Sequence, residues 1–252
     1  VKPSIEYKDV SYRYPDGTEA LKGVSFQLAE GEKVALLGSN GAGKSTLLLL
    51  ANGILMPRTG EIFVAGLRLA SENLKAIRQY VGLVFQNPDD QLFMTTVYDD
   101  IAFGPLNQGV SAEELDALVK TVLVEVGLVL ESEVDVLPEI ASKAPQNLSF
   151  GQRKRAALAT ILAMHPQLFV LDEPTSNLDP HGRRQMIALL LSLPKTSLIA
   201  THDLEMVWDI CERSIILDGG LIVADGSTRD LLSNESLLEA HGLELPAQLR
   251  YS

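Results

Sequence analysis

The sequence predicts an α/β fold with a mostly parallel core sheet, an N-terminal antiparallel β subdomain and an inserted helical subdomain. Three observations carry this. Short β-rich runs broken by turn residues fill the chain up to about residue 90. From about Asp89 to Ala163 the strand signals fade and helical spacing takes over. Apolar runs then return and alternate with helix signals, the pattern of parallel strands joined by helices that cover both sheet faces.

Taken in order, Ser4–Val10 and Val24–Ala29 read as strands, and Tyr14-Pro15-Asp16-Gly17 as a turn between them. Val34–Leu37 is a short apolar run ending at Gly38, the mark of a buried strand, and Thr46–Leu50 follows as an apolar helix. Glu61–Val64, bounded by Gly60 and Gly66, and Val81–Phe85 are further strands. Ser111 with Glu114 is a capping-box signature, Gly127 closes that helix, and Leu115, Leu118, Val119, Val122 and Val126 recur at helical spacing. A second helix runs from near Gly151 to about Met164. Strands return at Leu168–Leu171, Ser197–Ala200, Ile215–Leu217 and Leu221–Ala224, with helices starting near Pro180 and Asp203. From Ser233 the chain is polar with scattered leucines, a tail over 233–252 with no assignable element.

Composition narrows the function classes. Of 252 residues, 46% are apolar and 21% charged, ordinary for a globular protein and unlike disordered or collagen-like chains. The apolar stretch Thr46–Met56 is broken by Asn52 and Gly53, and nothing reaches the ~18 apolar residues of a membrane span. The start, Val1-Lys2-Pro3-Ser4, has no signal-peptide core. One cysteine, Cys211, excludes an internal disulfide and a cysteine zinc cluster. The expectation is a soluble, intracellular protein. Twenty-one basic against thirty-three acidic residues give −12, with a pI of about 4.8. That balance argues against nucleic acid as a partner, and any membrane contact is expected to run through a partner protein.

Gly38-Ser39-Asn40-Gly41-Ala42-Gly43-Lys44-Ser45 fits G-x-x-x-x-G-K-[ST]. A buried strand enters it and an apolar helix leaves it, the context the motif needs; a glycine-rich turn that binds nothing is the weaker alternative. Glycines let backbone N–H groups turn inward onto phosphates, and the helix adds its positive end. Lys44 would reach the β- and γ-phosphates, and the Ser45 hydroxyl would ligate Mg²⁺. The apolar strand Leu168–Leu171 ends in Asp172, which faces the same crevice in a parallel sheet. Asp172 suits the acid behind the metal. Glu173 suits the general base that polarises attacking water. Two plain surface acids at a strand exit are the alternative.

Four further segments fall in order. They are Gln86 at the close of Val81–Phe85, Leu148-Ser149-Phe150-Gly151-Gln152 before a helix, Ser176-Asn177-Leu178-Asp179 after Glu173, and His202 after Ser197–Ala200. With Tyr14 upstream, the chain resembles the ATPase subunit of ABC transporters over nearly its whole length, so 1–252 is expected to be one nucleotide-binding domain with the helical subdomain inserted at 89–165. The Leu-Ser-x-Gly-Gln segment is the most specific element. The resemblance implies ATP contacts from Gly38 through Thr46, and Tyr14 stacked on adenine. It implies Gln86 at the Mg²⁺ and facing the transporter, and Ser149, Gly151 and Gln152 at the ATP held by a second subunit. It implies Asp179 coupling the two sites and His202 on the γ-phosphate.

Plainer readings stand beside these. Ser149 and Gln152 also form a capping box. Arg153, Lys154 and Arg155 either add positive charge at that helix start or are simply solvated. Tyr12 shares a strand face with Tyr14 and is its rival for adenine. Phe150 departs from the family pattern, which has glycine there, and its β-carbon could crowd a phosphate contact unless the side chain points away.

The run Phe85–Phe93, then Asp100–Asn107 and the tail Leu237–Pro246, is similar to ATPases of energy-coupling factor importers, most of all the cobalt and nickel uptake type. That implies a homodimer of ATPase subunits bound to an integral membrane coupling subunit and a substrate-binding membrane subunit. It places the chain at the cytoplasmic face of the cell membrane, with the acidic, apolar stretch after Gln86 receiving the coupling helices. His165, His181, His202 and His241 are scattered, so the cargo metal is not expected to bind here. A vitamin-type importer of the same group, an amino-acid importer, or a soluble ATPase of this type acting on nucleic acid are the alternatives.

Overall fold

The computed structural model describes residues 2–130, 138–193 and 196–249. Its described residues divide into two compact units, one formed by residues up to 83 with 167–173 and the chain from 194 onward, the other by 84–166 and 174–193.

The first unit holds two sheets. Strands β1 (Ile5–Arg13), β2 (Glu19–Leu28), β4 (Thr59–Val64) and β5 (Leu67–Arg68) form an antiparallel sheet in the order β2-β1-β4-β5. Alternation along β1 buries Ile5 and Tyr7, and a register shift between Tyr7 and Val10 turns Val10 inward as well. Tyr7 stacks on Phe26 at 4.5 Å and donates its hydroxyl to Leu47 O at 3.0 Å, which ties this sheet to helix α1 (Lys44–Ala51). Pairing of Arg13 with Glu19 starts β2 earlier than the apolar run alone predicts.

The second sheet runs in the order β10-β9-β3-β8-β7-β6, with β3 (Lys33–Leu37), β6 (Val81–Val84), β7 (Leu168–Asp172), β8 (Thr196–Ala200), β9 (Arg213–Asp218) and β10 (Leu221–Ser227). β3 is parallel to β8 and β9, β7 is parallel to β8, and the β9–β10 hairpin is antiparallel. Burial on both faces explains why β3, β7 and β8 read as continuous apolar runs. Register sets Leu36 and Asp172 each opposite Ala200, so the carboxyl ends of three neighbouring strands finish at one level. Helices α2 (Leu74–Tyr80), α8 (Leu204–Ile210), α9 (Thr228–Leu232) and α10 (Glu235–Ala240) complete the unit.

The second unit is helical: α3 (Val97–Gln108), α4 (Ala112–Glu125), α5 (Glu139–Ser142), α6 (Phe150–Leu162) and α7 (Pro180–Ser192). α3 packs on α4, α5 and α6. α4 starts behind the Ser111–Glu114 capping box as expected. The insert expected over 89–165 lies in this unit, which also takes in α7. The sequence offered no helix at α2, at α3 or at α10; the expected tail holds α10, and its residues 250–252 lie outside the described ones.

Candidate active site

The first unit builds a phosphate cradle from backbone. Gly38 leaves β3 with φ +151°, and an added β-carbon there would lie 2.2 Å from Leu217 O. Gly43, at φ +107°, would put one 2.5 Å from Ala20 O. Both positions therefore demand glycine for conformation and for space. Gly43 caps α1 with no side-chain hydrogen bond, and no acid stands in the first turn. The first N–H groups of α1 thus have no side-chain cap, the arrangement that receives an anion.

Lys44 is 8% exposed and folds over the loop, donating to Gly38 O at 2.6 Å and Ser39 O at 3.1 Å. Burial pulls its ammonium below the usual lysine range, while the charges of Glu173 and Asp172 hold it up. Those carboxylates are therefore its electrostatic neighbours. Ser45 is exposed on the first turn of α1, which packs against β7, the strand that ends in Asp172. A hydroxyl and a carboxylate are hard oxygen donors, the set Mg²⁺ takes. Tyr14 shares a hydrogen bond with Thr46 Oγ1 at 2.9 Å, and Tyr12 meets it edge-on at 5.0 Å. Tyr14 is thus the one of the two anchored to α1.

Glu173 is the most constrained residue of this half. It is 6% exposed, and its φ of +46° lies in the left-handed region, costly for a residue with a β-carbon. Among its contacts, its N–H donates to Ala200 O at 2.8 Å, Thr201 Oγ1 donates to Oε2 at 3.0 Å, and His202 Nδ1 meets Oε1 at 2.8 Å. Nδ1 is thus the ring nitrogen turned to Glu173. The His202 side chain is 67% exposed. Thr201 was missed in the sequence; its signal was a hydroxyl at the exit of an apolar strand beside a histidine.

The second unit carries Gln86, Ser149, Gly151, Gln152 and Asp179. Gln86 is exposed just past β6. Ser149 caps α6 in a full capping box: Gln152 N donates to Ser149 Oγ at 3.2 Å and Ser149 N to Gln152 Oε1 at 2.9 Å. A β-carbon on Gly151 would meet only Leu178 Cδ2, at 3.5 Å. Asp179 caps α7 through Gly182 N at 2.6 Å. The basic run after Gln152 is not simply solvated. Lys154 is buried and bonds Pro174 O and Ser176 Oγ; Arg153 donates to Leu148 O, and Arg155 to Gly127 O. Each cation ties one loop to α6. The Phe150 ring lies 5.7 Å from both Arg153 and Lys154, over its own helix.

Gln91, also missed, pins the segment after Gln86: it accepts from Phe85 N and donates to Ala157 O and Thr160 Oγ1. Beyond it Phe93, Phe103 and Leu106 stand exposed, with the two rings edge-on at 5.2 Å. Asp100 beneath them is buried; Oδ1 accepts from Phe93 N and Met94 N, Oδ2 has no partner among the described residues, and burial pushes its carboxyl up.

A family model described as ABC transporter matches residues 21–176, which include the phosphate loop, the Leu148–Gln152 segment and Asp172-Glu173. The chain belongs to the ABC transporter family. It is an ATP-binding subunit of that family, an ATPase whose hydrolysis is coupled to transport. A Gloeobacter violaceus protein named as an ABC transporter ATP-binding protein is 50% identical over 242 residues, 96% of each chain. The energy-coupling factor transporter ATP-binding protein EcfA of Methanothermobacter thermautotrophicus is 44% identical over 247 residues, 96% of this chain and 76% of that one. Among solved structures, CbiO1 of Clostridium perfringens, part of the ABC transporter complex CbiONQ, superposes with a TM-score of 0.80 at 33% identity, covering 100% of this chain and 99% of that one. The dimeric ATP-binding cassette MJ0796, in a post-hydrolysis state with ADP and Pi, gives 0.78 at 29% identity over 89% and 99%. No helix among the described residues is long and apolar enough to cross a membrane.

Proposed function

We propose that this ABC ATPase powers an energy-coupling factor importer for cobalt or nickel ions, as a homodimer on the cytoplasmic face of the membrane. The kinship with EcfA and the full-length likeness to CbiO1 support the importer type. The observation that carries the homodimer is that one chain holds one phosphate cradle and one Leu-Ser-Phe-Gly-Gln helix start, each intact. Two copies related by a two-fold axis give two equivalent sites.

In that assembly Gly38 through Thr46 hold the ATP phosphates, Lys44 turns from the loop carbonyls to the β- and γ-phosphates, and Tyr14 stacks on adenine. Ser45 and Asp172, with Gln86, would hold Mg²⁺, which when bound neutralises phosphate charge. Ser149, Gly151 and Gln152 of one copy meet the γ-phosphate on the other, and Asp179 links the sites. Glu173 takes a proton from water as its oxygen attacks the γ-phosphorus, the bridging β–γ bond breaks, and ADP and phosphate leave. His202, which meets Glu173 through Nδ1, reaches the γ-phosphate through its other ring nitrogen. The exposed Phe93, Phe103 and Leu106 suit a partner's coupling helix, since contiguous apolar surface marks an interaction site.

The test is the purified native complex. Two copies of this chain with integral membrane subunits, and ATP-dependent cobalt or nickel uptake after reconstitution, are the expected result. A second, different ATPase at one to one would remove the homodimer. Uptake of a vitamin without metal transport would remove the cargo.

A further inference from the structure

The phosphate loop rests on a support outside its own motif. The turn between β9 and β10, Asp218-Gly219-Gly220, lies beneath it: Gly220 N donates to Ala42 O at 3.1 Å, and Leu217 O is the atom that forbids a β-carbon on Gly38. Lys22 N donates to Gly220 O at 2.9 Å and fixes the turn from the other side. The chain then leaves through β10 and α9 and returns after α10. There His241 Nδ1 meets Asp218 Oδ2 at 2.9 Å, and Gly242, at φ +68°, lies beside the phosphate loop, where a β-carbon on it would reach Ser39 Cβ at an ordinary contact distance of 3.8 Å. His241 N and Gly242 N are held by Leu238 O and Glu239 O, so the end of α10 presents both residues as a unit.

We propose that His241 is a positioning residue for nucleotide binding: through Asp218 it fixes the β9–β10 turn under the phosphate loop and seats Gly242 against Ser39. Neither residue is among the nucleotide contacts proposed above. Their effect is on how well the loop is held in its binding shape before ligand arrives, and preorganisation appears directly as affinity. The link is reciprocal by thermodynamic necessity, so nucleotide in the loop must also tighten the docking of the α10 segment. The inference rests on the loop being the ATP site, and the experiment separates the two.

Nucleotide affinity of the full-length chain is measured by calorimetry for the wild type, Lys44→Ala, His241→Ala, His241→Gln, Asp218→Ala and His241→Ala with Asp218→Ala. His241→Ala and Asp218→Ala should each weaken ATP binding roughly five-fold, the double variant no further than either alone, and His241→Gln, which keeps a donor, should recover most of the loss. Hydrogen exchange on the wild type should show ATP protecting the amides of residues 238–243. Unchanged affinity in both single variants, full additivity in the double variant, or absence of protection would each overturn the proposal. If Lys44→Ala binds ATP as the wild type does, the ATP-site reading falls with it; loss in Lys44→Ala with none in His241→Ala removes the positioning role alone.

Discussion

Two helix starts carry the proposed phosphate chemistry, and they are built in opposite ways. α1 begins behind Gly43 with no side-chain cap and no acid in its first turn. α6 begins behind Ser149 with a complete capping box, and its three nearby cations are drawn into loop anchors. The first start is left open by its own sequence, so it can bind an anion alone. The second has already satisfied two donors, Ser149 N and Gln152 N, with its own side chains. Under the proposed function, an open half and a partly capped half shared with a partner predict that one chain holds nucleotide alone and closes on its partner only when nucleotide is present.

The largest effect should come from Glu173→Gln in the assembled transporter. The amide cannot take the proton, so hydrolysis should fall by about 10²–10⁴-fold while ATP still binds, read by single-turnover assay and equilibrium binding. Retention of more than about a third of wild-type turnover would make some other group the base, because loss of a general base cannot be that mild.

The next comparison places one substitution in each half. Gly38→Ala drives a β-carbon into Leu217 O and should weaken ATP binding to the isolated chain by about ten-fold or more. Gly151→Ala meets only a leucine methyl at ordinary contact distance, so the thermal midpoint should hold, while ATP-driven dimerisation, followed by sedimentation, should weaken. Equal ATP affinity in Gly38→Ala and wild type would break the open-half account. Normal dimerisation by Gly151→Ala would break the shared-half account.

Smallest is Ser149→Ala, which removes the cap and should cost about 1 kcal/mol of stability in a denaturation curve. If the hydroxyl served only a partner's phosphate, stability would not move at all.

The contrast between the halves also decides what could be read from the sequence. The phosphate loop was legible because a glycine-rich spacing encodes backbone geometry directly, and β3, β7 and β8 were legible because strands buried on both faces are apolar throughout. α3 was not, because Gly104 and Pro105 stand inside it. Gly104 is there for contact: a β-carbon would lie 2.5 Å from Met164 Sδ. A residue chosen for tertiary packing thus reads locally as a helix breaker. The fate of Lys154 was hidden for a related reason. Its burial depends on Pro174 and Ser176, twenty residues and more away, and no local pattern announces a lysine bound to distant oxygens. Thr201 and Gln91 escaped because a lone hydroxyl or amide has no periodicity. The Ser149–Gln152 box, by contrast, was visible as spacing alone.

The grip of Thr201 and His202 on the two Glu173 oxygens bears on waste. In a cell rich in ATP, every unengaged copy of an ATPase is a leak of fuel. Under the proposed function, a carboxylate held on both sides accepts only from a water placed at its remaining lone pairs, and each bond it would have to break to swing toward any other contributes about 1.5–3 kcal/mol. Stray water is then disfavoured by roughly ten-fold or more, and fuel is spent where the γ-phosphate and its water are correctly set.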